Sequence, residues 1–199
     1  MKTLLSTIFT ILFLVSCQDT ANVTDSLVNP KDNSISKDPE LHYNIILPPK
    51  APEWQDSIFT VSKEINGNLG GFIYLNKYYI AANGDSVVIN ARLLIPTFAF
   101  QGTETITIRV DDKYASLHFT PSMAFAKNLK LYNSFSAIDL NGFEKKSLDF
   151  VYVTDDGSIE LLKKKSIQIF PKWGLIQVNS VELPHFSRFG WVRMHVSGN

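Results

Sequence analysis

From about residue 58 onward, apolar and polar side chains alternate one by one, as in strands that bury a single face. In SVVINARLLIP, Val87, Ile89, Ala91, Leu93 and Ile95 share one face. TETITIRV sets Ile106, Ile108 and Val110 against Thr105, Thr107 and Arg109. LDFVYVTDDGSIELL divides into two such runs around Asp156-Gly157, a hairpin signal. Asn66-Gly67, Asn83-Gly84 and Asn141-Gly142 punctuate other runs in the same way. Pro96 and Pro121 each close a run, because proline has no N–H to give a ladder. Sustained i, i+3, i+4 spacing is missing from this region, although PSMAFAKNL has room for a helical turn. The pattern predicts roughly nine to eleven short strands in an antiparallel sandwich or barrel. No internal repeat argues for a propeller or solenoid.

The start of the chain follows different rules. MKTLLSTIFTILFLVSC has basic Lys2, an apolar run from Leu4 to Val15, and small residues before Cys17. It reads as an export signal, because a comfortable membrane span needs about 20 apolar residues. LVSC, Leu14 to Cys17, resembles the lipobox of bacterial lipoproteins. That resemblance implies cleavage before Cys17, diacylation of its sulfur and acylation (for example with palmitate) of the new amino group. Several acyl chains on one residue suffice for stable attachment to a membrane. Gln18 stands where some bacteria place the Asp that retains a lipoprotein at the inner membrane. The expected location is therefore the bacterial cell envelope, at the outer membrane.

Composition sharpens this picture. Cys17 is the single cysteine, so no intrachain disulfide is available. The 199 residues carry 19 basic and 19 acidic side chains, which leaves no electrostatic footprint for nucleic acid. Removing residues 1–16 takes away only Lys2 among the charged residues and leaves a formal charge of −1. The next stretch, QDTANVTDSLVNPKDNSISKDPE, is polar and poor in large apolar residues, as in a solvated linker. ILPPKAPEW is proline-rich and extended, suited to lie along a domain edge. The expected organisation is a signal over 1–16, a lipidated tether over 17–57 and one β-sandwich domain over 58–199.

Four segments carry a family resemblance: GGFIYL, then DSVVINARLLIPTFAFQGTETITI, then LHFTPSMAFAKNLKLY, and finally VNSVELPHFSRFGW. In this order, from Gly70 to Trp191, they resemble a ZU5-like domain. Asn128 before Leu129 departs from the proline often found there. The resemblance implies a β-sandwich built for attachment and protein interaction.

It also draws attention to His185-Phe186-Ser187, since some ZU5 domains and related GAIN-type sandwiches cleave themselves at such a triplet. Ser187 Oγ would attack the Phe186 carbonyl carbon, and the Phe186–Ser187 C–N bond would break as the Ser187 nitrogen takes a proton. Water would then hydrolyse the resulting ester. His185 would accept the serine proton or polarise the amide. In a strand, residues i and i+2 share a face, so His185 and Ser187 are neighbours. The same spacing is also the ordinary polar face of a closing strand, with Phe186 inward. Cleavage further requires backbone strain at this bond.

Other groups point less sharply. His42, His118 and His195 lack metal-ligand spacing, and Asp111-Asp112 and Asp155-Asp156 read as turn acids. Lys163 to Lys165 reads as a solvated strand end. No cofactor or metal is expected, and no nucleophile elbow or phosphate loop is present in the sequence. Trp54, Trp173, Trp191 and Tyr78-Tyr79 suit either a core or sugar stacking. The leading expectation is a non-enzymatic envelope lipoprotein with an unknown envelope protein or glycan as partner. Self-cleavage and glycan binding are the alternatives.

Overall fold

In a computed structural model, residues 42–194 can be described. Residues 1–16, read above as an export signal, Cys17 and His195 lie outside the described residues. Among the described residues, twelve strands divide between two antiparallel sheets: β1 His42–Asn44, β2 Thr60–Asn66, β3 Gly71–Ile80, β4 Ser86–Ile95, β5 Thr103–Val110, β6 Ser116–Thr120, β7 Ala124–Phe135, β8 Leu148–Val153, β9 Ile159–Leu161, β10 Ser166–Phe170, β11 Leu175–His185 and β12 Arg188–Met194. Sheet I has the order β2-β5-β6-β12-β8-β9, with β1 also on β12, and sheet II runs β10-β11-β7-β4-β3. The protein is an all-β sandwich.

The expected faces are the observed ones. Val87, Ile89, Ala91, Leu93 and Ile95 are buried against Ile106, Ile108 and Val110 of the other sheet, within one core. Between the sheets, Asn133 of β7 is buried and doubly used. Its Oδ1 accepts from Trp191 Nε1 at 3.0 Å, and its Nδ2 donates to the Asn90 carbonyl at 3.0 Å. Inward polarity is tolerable because both ends of the amide are satisfied.

Hairpins join β3 to β4, β5 to β6, β8 to β9 and β10 to β11, and most other connections cross between sheets. Asn83-Gly84 and Asp156-Gly157 do close hairpins, with φ of 87° and 84° at the glycines. Asn66-Gly67 instead carries the chain from sheet I to sheet II, since β2 pairs with β5. At Gly67 an added Cβ would fall 2.2 Å from the Phe100 carbonyl oxygen, so this corner admits only glycine.

Two local expectations change. PSMAFAKNL forms no helical turn and leads into β7, whose inward positions take Leu129, Leu131 and Phe135 into the core. Residues 42–57, expected to belong to the tether, are instead part of the fold. There β1 pairs with β12, Ile45, Leu47 and Ala51 are buried, and Pro48 accepts a 2.6 Å hydrogen bond from Tyr79 Oη. The prolines hid this, because they break the alternation by which the other strands are recognised. The lysine run follows β9 with Lys163 and Lys165 exposed, while Lys163 pairs with Glu182 at 3.2 Å and Lys164 pairs with Asp149.

Candidate functional site

His185-Phe186-Ser187 occupies the corner where β11 of sheet II hands over to β12 of sheet I. Phe186 is fully buried, stacked on Phe119 at 5.3 Å and edge-on to Phe125 at 4.7 Å. Its N–H donates to the Met123 carbonyl at 2.8 Å, and the Ser187 carbonyl accepts from the Phe119 N–H at 2.9 Å. His185 turns its ring to Tyr152, 4.7 Å away, and to Phe189 at 6.0 Å. Among the described residues no hydrogen bond joins His185 to Ser187, and positive φ at non-glycine residues falls at Phe98, Ala137 and Ser180. The triplet is a packed and hydrogen-bonded corner. Phe186 fills the seam between the two strand ends.

The remaining sequence-named groups scatter. Asp111 shapes the β5–β6 turn, accepting from the Lys113 and Tyr114 N–H groups at 2.8 and 2.9 Å, with His118 Nε2 3.1 Å from its other oxygen. Burial works against its charge, but these hydrogen bonds outweigh it and hold its pKa down at about 2. Asp112 pairs with Lys50 at 3.1 Å and Arg109 at 3.3 Å. Asp156, fully exposed, is held at about 2 by hydrogen bonds from Thr154 and Ser158 within its turn. His42 is pushed down by burial, against a hydrogen bond with the Gly157 backbone. No group of three or more metal-ligating side chains gathers among the described residues. Trp191 and Tyr79 are core residues, Trp54 leans on Tyr78 at 5.4 Å, and Trp173 is exposed beside Phe170 at 5.8 Å.

A cleft of about 760 Å³ lies beside Trp173, lined by loop residues from 46–49, 83–86, 136–141 and 171–174. Two of its polar side chains are engaged within their own turns: Asp139 caps the Asn141 N–H and Asn83 caps the Asp85 N–H. The outward face of sheet II is organised differently. Asn76, Asn90, Ser134, Gln177 and Gln168 stand in register, one per strand, from β3 through β4, β7 and β11 to β10. One pleat along, Tyr74, Arg92 and Tyr132 form a second row on three adjacent strands. Arg92 lies over the Tyr132 ring at 4.2 Å, and Tyr74 is 55% exposed. Between the rows lies a shallow depression of about 360 Å³.

The amides are linked to one another. Asn76 Nδ2 donates to Asn90 Oδ1 at 2.6 Å, and Gln177 Nε2 donates to Asn179 Oδ1 at 3.1 Å. Asn179 Nδ2 in turn donates to Ser166 Oγ at 3.1 Å. A β-bulge at Asn179-Ser180, with Ser180 at φ 52°, keeps Asn179 outward while returning Val181 and Leu183 to the core.

The sequence carried a signal for this face that the alternation concealed. Asn is depleted in strands, yet NKYY, INAR and QVNS place amides at outward strand positions, and YNSF adds Ser134 beside them. That they form one row depends on register across five strands.

Fold and face together define a two-sheet sandwich with one patterned open surface. No family model, curated protein or solved structure matches the chain.

Proposed function

We propose that the chain is a non-enzymatic lipoprotein of the bacterial cell envelope, whose sandwich, ZU5-like in its sequence segments, acts as a binding module. The carrying observation is the outward face of sheet II, where aligned amides and tyrosines are held on strands rather than on loops. Side chains placed by strands bind with little ordering cost. The lipobox at Leu14 to Cys17 supports anchoring through acylated Cys17, and Gln18 supports an outer-membrane destination. The polar composition of residues 18–40 supports a linker between the anchor and the module.

Self-cleavage at Phe186–Ser187 remains the competing reading, and the two part on simple measurements. With the full chain expressed in a diderm bacterium, Cys17→Ala is expected to lose palmitate label and move from the membrane to the soluble fraction. Unchanged fractionation overturns the anchor. Intact mass after long incubation at neutral pH is expected to show an uncut chain. A fragment ending at Phe186 that disappears in Ser187→Ala replaces the non-enzymatic reading with the self-cleaving one.

A further inference from the structure

We infer that the outward face of sheet II is a binding site for an uncharged glycan chain lying across the strands, along the amide row. This deepens the binding-module reading and rests on it.

The first argument is a contrast within the molecule. The outward face of sheet I carries Thr60, Ser62, Thr105, Thr107 and Thr120 beside the charged Glu64 and Arg109, with a single amide among β2, β5 and β6, Asn66 at the end of β2. Ser62 and Thr107 there simply pair at 2.7 Å. Sheet II places two asparagines and two glutamines in one register row, and asparagine is depleted in strands. Its bulge adds a non-glycine residue in the left-handed region, at a cost of about 1–2 kcal/mol. Departures of this kind cluster at functional surfaces.

The second argument is chemical. Each amide offers two donors and a carbonyl with two lone pairs, in a fixed plane. The bonds among Asn76, Asn90, Gln177 and Asn179 use part of that capacity and fix the orientation of the remainder. A pyranose presents adjacent hydroxyls that each donate and accept, which matches an amide fork, and an apolar C–H face that matches an aromatic ring. Tyr74 supplies an exposed ring one pleat from the amides. Arg92 is the charged residue lining the depression, and its guanidinium is already spread over Tyr132. A charged polymer finds little to pair with here. An apolar protein surface would leave the amide row desolvated and unpaired, which is costly.

The third argument is length. Five strands at spacings of about 4.8 Å make a row about 19 Å long, the reach of a short oligosaccharide. The strands hold it nearly rigid.

The test uses the full-length chain in a zwitterionic detergent with no sugar headgroup. Affinity electrophoresis is run through soluble β-glucans, α-glucans, mannan and xylan, with polygalacturonate as the charged control. At least one neutral polymer is expected to retard the protein, with little change as salt is raised. Tyr74→Ala and Gln177→Ala, both on the surface, are each expected to weaken binding about tenfold or more. Trp173→Ala, in the loop cleft, is expected to leave it unchanged. Melting curves that match the parent show that the variants are folded. Failure of every neutral polymer to bind overturns the proposal, as does retardation that survives both variants. Retardation only by polygalacturonate, lost in salt, assigns the ligand to surface cations instead, and retention only of an envelope protein makes the face a protein interface. None of these outcomes touches the Cys17 fractionation, so the anchored-module reading stands or falls separately.

Discussion

Asp111 shows how much one side chain contributes to a short turn. Its carboxylate accepts from Lys113 and Tyr114 and faces His118, joining the β5–β6 turn to the outer face of sheet I. Its folded-state pKa of about 2 lies below the ordinary 3.8, so the charged form is what stabilises the fold. That contribution is complete above 3.8 and is lost as pH falls toward about 2. Asp111→Asn is therefore expected to melt about 2–4 °C below the parent at pH 7, the shift that about 1 kcal/mol makes in a domain of this size. The gap should close as the pH approaches 2, measured by circular dichroism melts. A gap that stays constant with pH would show that charge plays no part. The acid at this turn was legible in the sequence. Its partner His118 was not, because they meet only through the pairing of β5 with β6.

At the scale of the element, β11 shows how a small irregularity serves both faces of a strand. Straight alternation from Val178 would turn Val181 outward, and the extra residue at Ser180 restores Val181 and Leu183 to the core. The sequence VNSVEL contains the slip, but its meaning depends on β7, whose Leu131 faces Val181. Ser180 sits at φ 52°, which glycine adopts freely and a β-branched residue resists. Ser180→Gly is expected to keep or raise the urea midpoint, and Ser180→Val to lower stability by about 1–2 kcal/mol. Equal stability of the two variants would show that the bulge is not held in solution. His185-Phe186-Ser187 ends the same strand. Phe186 is inward as expected, but not by alternation: a register shift between Leu183 and His185 breaks the pattern, and Phe186 and Ser187 lie between β11 and β12 where the chain passes from one sheet to the other.

Taken whole, the sandwich begins earlier than its alternation suggests. Ile45 and Leu47 are each 4% exposed, and β1 extends the sheet I neighbourhood of β12. Burying two such side chains contributes about 3–6 kcal/mol, a large share of the roughly 5–15 kcal/mol that holds a domain together. A chain starting at residue 58 is expected to lose its cooperative urea transition, while one starting at residue 40 keeps it. A cooperative transition in the shorter chain, at the parent midpoint, would overturn this role. The sequence by itself determined the all-β class, the buried faces of β4 and β5, and the hairpins at Asn83-Gly84 and Asp156-Gly157, because alternation and turn chemistry are local. The tertiary structure decided which runs share a sheet, where the chain crosses between sheets, and that amides far apart in sequence stand in one row. Those are questions of register between strands, and register is set by packing over distances that no local pattern encodes.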